Sequence, residues 1–280
     1  MTSTAPISSP TQRNKTQAMA KRSDFWNAVS WCRSIFLLGP LIYLYTAALG
    51  TLSLLFSLGD GSGRAQHWCA RIWSRLILKT TLSPVTTEMA APFDLSQPRV
   101  YAANHISALD IPLLYACLPS QFRILAKKEL FRYPFLGWHL RRSGQLPIDQ
   151  DNPAAAVRSL RKAVDTLRQG MPLVIFPEGG RSENGQVQPF MSGAFYLAIK
   201  AQVEVVPIAI AGTFEVLPMR HFHMRPGPIQ LLLGEPISTA GLSLHDMETL
   251  SRRVQQAIER MYYAHSRVPD PAKAAAHSAN

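Results

Sequence analysis

The stretch Tyr101–Asp110, YAANHISALD, decides how this chain is read. Val100–Ala103 is a short apolar run of the kind shown by strands buried on both faces. It gives way to Asn104-His105, and Ile111–Leu118 then continues too long and too leucine-rich for a turn. The order is strand, polar turn, helix, with a histidine in the turn and a carboxylate five residues further on. Residues five apart on one regular helix point about 140° apart, at ~100° per residue. His105 and Asp110 therefore meet only if the helix starts near Asp110. Pro112 favours that start, because proline is tolerated in a first turn and costs about 3 kcal/mol in a helix interior. A histidine held by an aspartate has a fixed tautomer and a raised proton affinity, as a base for a hydroxyl requires. The same residues also fit a plainer reading, in which Asp110 caps the helix in a box with Ser107 and His105 fills a loop.

A second constellation lies downstream. Pro172–Phe176, PLVIF, is another buried-strand run, and it leads directly into Pro177-Glu178-Gly179-Gly180-Arg181-Ser182. Two glycines let a backbone approach a ligand and expose its amide groups. Arg181 brings a planar fork of donors suited to phosphate oxygens. A glycine pair after a strand is by itself a turn signal; Glu178, Arg181 and the upstream Asn-His turn make it a candidate site.

With those residues on the page, the chain resembles the 1-acyl-glycerol-3-phosphate acyltransferases and their glycerolipid relatives over roughly Leu82–Glu235. Four ordered blocks carry the resemblance. They are the His-x4-Asp of Asn104–Asp110; Lys127-Lys128-Glu129-Leu130 with Pro134-Phe135-Leu136-Gly137; Phe176–Ser182; and Val206-Pro207-Ile208. The resemblance implies an α/β acyltransferase fold without a metal or cofactor. It implies His105 as the catalytic base and Asp110 as its partner, with an acyl-CoA or acyl carrier protein thioester as donor. Glu178 and Arg181 are implied as substrate-binding residues around the phosphate of a lysophosphatidate-like acceptor; Gly179 and Lys128 are expected beside them, and amides near Gly179 as oxyanion donors. Two positions depart from the family pattern: Gly180 stands where threonine is usual, and Gln150 where arginine commonly follows Asp149. Losing a cation there leaves glycerol-3-phosphate or a lyso-aminolipid open as acceptors.

The rest of the chain fits around these blocks. At 280 residues it supports one sizeable domain with extras. Its 47% hydrophobic and 17% charged content lean apolar, and its net charge of +11 calls for an anionic partner. No nucleic-acid motif accompanies that charge, so an anionic membrane surface is the expected partner. Three scattered cysteines, Cys32, Cys69 and Cys117, argue against a disulfide framework. Residues 1–23 read as disordered and 24–80 as membrane-anchoring helices. Residues 81–265 read as the acyltransferase domain and 266–280 as a disordered tail.

Ile35–Leu58 runs 24 residues without a charge, long enough as a helix to cross ~30 Å of hydrocarbon. Arg64–Lys79 reads as an amphipathic interfacial helix, with Trp68, Ile72 and Leu76 on its apolar side. Cations flank the apolar run on both sides, which favours a re-entrant anchor on the cytoplasmic face over a single span. From Leu82 on, strands at Arg99–Ala103, Phe122–Ala126, Gln145–Ile148, Pro172–Phe176, Val203–Ile210 and Ile229–Leu233 alternate with helices. Asn152–Gln169, with Val157, Leu160, Val164 and Leu167 as its stripe, is the longest of the internal ones. The expected class is α/β, a mostly parallel central sheet flanked by helices behind an N-terminal hydrophobic helical membrane anchor. His221 and His223, among prolines and with no third ligand at suitable spacing, read as an ordinary loop. Two other classes compete: a non-catalytic basic membrane adaptor, and a hydrolase using Ser107 or Ser182, which lacks the Gly-x-Ser-x-Gly elbow.

Overall fold

The computed structural model describes residues 28–273 apart from 95, 96 and 150. The expectations for Met1–Ser23, Gln150 and residues 274–280 lie outside the described residues. Strands β1 (Val85–Met89), β2 (Val100–Ala103), β3 (Arg123–Lys127), β4 (Leu146–Ile148), β5 (Leu173–Ile175), β6 (Val205–Ala211) and β7 (Ile229–Leu233) form one sheet. Their order is β1-β7-β6-β2-β5-β3-β4, and β6–β7 is the antiparallel pair. Five neighbouring strands, β6, β2, β5, β3 and β4, thus run the same way. Their C-terminal ends share one edge, where open parallel sheets bind ligands.

Strand β2 sits centrally and every residue in it is buried. Its side chains alternate between two cores, as the two-residue period of a strand demands. Val100 and Ala102 join Leu167, Leu197, Val254 and Ile258 on one face. That face is covered by helices α5 (Pro153–Arg168), α6 (Tyr196–Ala201) and α8 (Met247–His265). Tyr101 and Ala103 join Ile77, Leu78, Leu113 and Leu114 on the other, covered by α2 (Arg64–Thr80) and α3 (Asp110–Cys117). Large buried side chains such as these leucines and valines each contribute roughly 1.5–3 kcal/mol, so β2 is a firmly held strand on which to hang a site.

Helix α2 corrects an expectation. The sequence reads it as an interfacial helix outside the domain, but its Gln66, His67, Ala70, Ser74 and Ile77 are buried, and it packs on α3 as part of a covering layer. Trp68 and Leu76, expected on the same apolar side, are exposed. Val157, expected on the buried stripe of α5, is likewise exposed. The tail expected from 266 on is placed through Lys273, with Val268 packed against the first core. Strand β1 was not foreseen; its VTTEM run is mostly exposed at the sheet edge and pairs with β7.

Helix α1 (Ala28–Phe56) is long and apolar enough to cross a membrane and is almost wholly uncovered. Phe36, Tyr43 and Leu44 are among its exposed residues. A wider π-helical turn at Ser34–Leu38 precedes Pro40, absorbing the amide that proline lacks. After α1 the chain reverses: Asp60 accepts from the Ser62 and Ala65 amides at 2.8 and 2.7 Å and so opens α2. The two helices then run back along each other, with the Trp73 indole donating to Thr46 at 2.8 Å. All three cysteines are free.

One glycine seats the whole site edge. Gly212, between β6 and the short α7 (Thr213–Val216), has φ of +86°, and a Cβ there would lie 2.0 Å from the Pro228 carbonyl oxygen. Positive φ costs a non-glycine residue about 1–2 kcal/mol, and the clash adds to it. Gly212→Ala is therefore expected to destabilise the protein by at least about 2 kcal/mol, read as a lowered thermal midpoint in detergent. An unchanged midpoint would show that this turn can move aside.

Candidate active site

His105 stands in the loop between β2 and α3, at the C-terminal edge of the sheet. The preceding Asn104 is fully buried and clips the loop to β6: its side chain donates to the Ile210 carbonyl at 3.0 Å and accepts from the Ile210 amide at 2.7 Å. Helix α3 begins at Asp110, where Pro112 led the sequence to put it, so the loop is free to fold back. His105 Nδ1 and Asp110 Oδ2 are 2.8 Å apart. The same oxygen accepts from the Ile106 and Ser107 amides at 2.7 and 2.8 Å. Asp110 thus closes the loop ahead of the helix while holding the histidine. The expected capping box with Ser107 does not form, because Asp110 is the first helical residue behind Leu109 as N-cap and Ser107 turns its hydroxyl to the Leu217 carbonyl.

The other carboxylate oxygen, Oδ1, accepts from the Thr213 hydroxyl at 2.7 Å. Thr213 lies 103 residues away in sequence, and nothing near it marks it as a partner. Asp110 is completely buried, while the His105 side chain keeps 15% of its exposure. A carboxylate on Nδ1 fixes the proton there and leaves Nε2 as the basic nitrogen. Phe176, at the end of β5, stacks on the imidazole with ring centroids 4.1 Å apart. That ring limits rotation of the imidazole; the apolar run of β5 was legible in sequence, the stacking was not.

Glu178 plays a different part from the one the resemblance implies. It turns inward, its Oε1 accepting from the His105 amide at 2.7 Å and its Oε2 from the Gln188 amide at 2.9 Å. The Ser182 amide donates to the His105 carbonyl at 2.8 Å. The loop bearing His105 is thus fastened to the Pro177–Ser182 loop through both the N–H and the C=O of His105. Burial pushes the Glu178 carboxyl up to about 8, against the opposing pull of the Gln188 and His105 amides, with nearby Asp110 raising it further.

This shift has a consequence for stability. An unfolded Glu178 gives up its proton near its ordinary value of 4.5 and the folded one near 8. Folding stability from this group is therefore full below about 4.5 and falls as pH rises toward 8. Glu178→Gln removes the titration and is expected to flatten the decline between those values, on the order of a few kcal/mol. Denaturation midpoints of the two proteins across that range check it, and parallel curves would contradict it.

The remaining expected site residues are scattered along the same edge. The Gly179 amide donates to the Phe176 carbonyl at 3.0 Å, closing a turn. Arg181 is exposed and, among the described residues, takes no hydrogen-bond or ion-pair partner. It sits one residue before the Ser182–His105 contact. A Cβ on Gly180 meets nothing within 4 Å, so the backbone there leaves open space for a side chain's first carbon. Lys128 follows β3, two strands from β2 and hence ~10 Å across the sheet. Its ammonium pairs with Asp149 at 2.6 Å and with Glu129 at 3.9 Å, and the Asp149 bond raises its proton affinity.

The serines read as possible nucleophiles are both engaged in holding loops. Ser107 Oγ donates to the Leu217 carbonyl at 2.7 Å and Ser182 Oγ to Asn184 at 2.9 Å. His223 bonds Ser30 at 2.9 Å, tying its loop to the start of α1. The Val206-Pro207-Ile208 block is fully buried in β6 beside β2, so it serves packing. Gly137 does too: a Cβ there would fall 2.2 Å from the Phe131 carbonyl oxygen.

Residues 83–211 match the family described as Acyltransferase. The chain is 30% identical over 176 residues to 1-acyl-sn-glycerol-3-phosphate acyltransferase BAT2, chloroplastic, of Brassica napus, covering 61% of this chain and 50% of that one. It is 32% identical over 167 residues to 1-acyl-sn-glycerol-3-phosphate acyltransferase alpha of Homo sapiens, covering 59% of each. The chain thus spans about half the length of the curated relatives it matches. The crystal structure of the 1-acyl-sn-glycerophosphate acyltransferase PlsC from Thermotoga maritima superposes with a TM-score of 0.67 at 27% identity, over 82% of this chain and 95% of that one. Residues 83–211 thus carry an Acyltransferase family domain, in an α/β fold similar to that of the Thermotoga maritima PlsC.

Proposed function

We propose that this protein is a membrane-bound O-acyltransferase that moves a fatty acyl group to the free hydroxyl of lysophosphatidate, giving phosphatidate. The observation that carries this reading is the 2.8 Å bond from His105 Nδ1 to a buried Asp110. In the proposed step His105 Nε2 takes the hydroxyl proton as the acceptor oxygen attacks the carbonyl carbon of the donor thioester. The carbon–sulfur bond then breaks, and the imidazolium returns its proton to the departing thiolate. No covalent enzyme intermediate and no cofactor enter; acyl-CoA or acyl carrier protein is the donor substrate. Asp110 stabilises the imidazolium, and Glu178 acts as a positioning residue by fixing the backbone of the base. Arg181 is the cation offered to the acceptor phosphate, with Lys128 next along the edge.

The acceptor reading follows what the names of the relatives say of those proteins. The uncovered apolar helix α1, together with the net charge of +11, supports attachment to the cytoplasmic face of a membrane. A mixed panel of lysophosphatidate, glycerol-3-phosphate and lyso-aminolipids, offered with acyl-CoA or acyl carrier protein thioesters, tests the reading. Acylation of lysophosphatidate in preference to the rest is expected; preference for a phosphate-free acceptor would overturn it.

A further inference from the structure

The segment after β3 carries a strained turn that the chemistry above does not use. Phe135 has φ of +60° and ψ of −58°, and the Leu136 amide donates back to the Pro134 carbonyl at 2.6 Å. That is a γ-turn of the rare positive-φ kind. For a bulky residue such a backbone is an outlier, and outliers of this sort persist where the position has a use. Packing does not explain it here, because the Phe135 side chain is 67% exposed. Tyr133, Leu136 and Trp138 beside it are exposed as well. Phe135 and Trp138 stack edge to face with centroids 5.2 Å apart, making a two-ring wedge rather than two loose side chains.

The wedge stands directly against the end of α1. Ser53 of α1 and His139 share a 2.8 Å hydrogen bond. A cleft of about 420 Å³ lies between Leu54 and Leu58 on one side and Trp138, Arg141 and Arg142 on the other. Exposed Leu58 just past α1 and exposed Trp138 of the wedge thus line the same cleft, and Arg141 and Arg142 line it with them. Among the described residues, Arg132, Arg141 and Arg142 pair with no carboxylate. Within the described residues Arg141 and Arg142 donate only to backbone carbonyls, of Phe131 and Ser57, so their charges stay uncompensated. Aromatic rings beside such cations match the headgroup layer of an anionic bilayer, with an apolar interior below and phosphates above.

We propose that the turn at Tyr133–Trp138 is a second membrane contact, which inserts Phe135 and Trp138 at the headgroup level of an anionic bilayer alongside α1. It holds the β3–α4 side of the sheet edge, where Lys128 lies and where helix α4 (Leu136–Arg142) begins, against the lipid surface. The inference builds on α1 as a membrane anchor, and the test separates the two. A fluorescent amino acid is placed in the full-length chain at Leu44 of α1, at Phe135, or at Lys200 on the opposite face of the sheet. Each protein is bound to vesicles of phosphatidylcholine and phosphatidylglycerol with brominated acyl chains. Quenching at least twofold is expected at positions 44 and 135 and none at 200. Quenching at 44 alone would overturn the second contact and leave the anchor; quenching at neither overturns the anchor too. Phe135→Gly relieves the backbone and is expected to keep or raise the thermal midpoint in detergent while weakening binding to anionic vesicles. A lowered midpoint with unchanged binding would show that Phe135 serves the fold instead.

Discussion

Replacing His105 with alanine is expected to lower turnover by about 10²–10⁴-fold, the usual contribution of a general base, with the fold intact. The structure explains why the two effects separate. The loop is held through its backbone, by Glu178 on the His105 amide and by the Ser182 amide on the His105 carbonyl. Truncating the side chain leaves both anchors and gives up only the Phe176 stacking and the bond to Asp110. Asp110→Asn tests the charge rather than the shape. An asparagine can turn its oxygen toward the Ile106 and Ser107 amides and its NH2 toward Thr213, whose hydroxyl can rotate to accept. The loop is then kept, but the imidazolium loses its counter-charge, and a comparable loss of turnover is expected. Turnover set beside the thermal midpoint of each variant checks both. His105→Ala with near-normal turnover would sink the proposed mechanism.

Arg181→Ala is expected to raise the Michaelis constant for lysophosphatidate by about 10–150-fold, the equivalent of a charge-assisted bond of roughly 1.5–3 kcal/mol. Arg181 is exposed and without a partner among the described residues, so its removal leaves no buried group stranded. Lys128, by contrast, spends its charge on Asp149, and its strand lies two strands, ~10 Å, from the β2 strand that leads to His105. Much of the phosphate recognition should therefore fall on Arg181. The effect should vanish for an acceptor lacking phosphate. Equal losses on both kinds of acceptor would mean that Arg181 holds the loop and not the substrate.

The central strands were legible because burial on both faces writes a continuous apolar run: VYAA, LVI and VVPIAIA became β2, β5 and β6 within a residue or two. The start of α3 was legible because Pro112 allows few alternatives. The His105–Asp110 contact was a geometric consequence of that start. What the sequence hid falls into two kinds. Some contacts join distant segments, such as Thr213 to Asp110 and the Glu178 carboxyl to the His105 amide, and no local pattern announces them. Others run against polarity. Helix α2 buries Gln66, His67 and Ser74 together with Ala70, Ile77 and Leu78 and exposes Trp68 and Leu76, so polarity does not mark which of its faces covers the domain. β1, with two threonines and a glutamate on an exposed edge, has no apolar signature to find.

The most direct measurement is a paired one on the full-length protein in phospholipid vesicles, with an acyl thioester and lysophosphatidate supplied together. Free thiol and phosphatidate are followed by colorimetry and mass spectrometry in the same sample. The account predicts that the two appear in equal amounts, that thiol release depends on the acceptor, and that both fall together in His105→Ala. Thiol released without phosphatidate, or phosphatidate formed undiminished by His105→Ala, would contradict it.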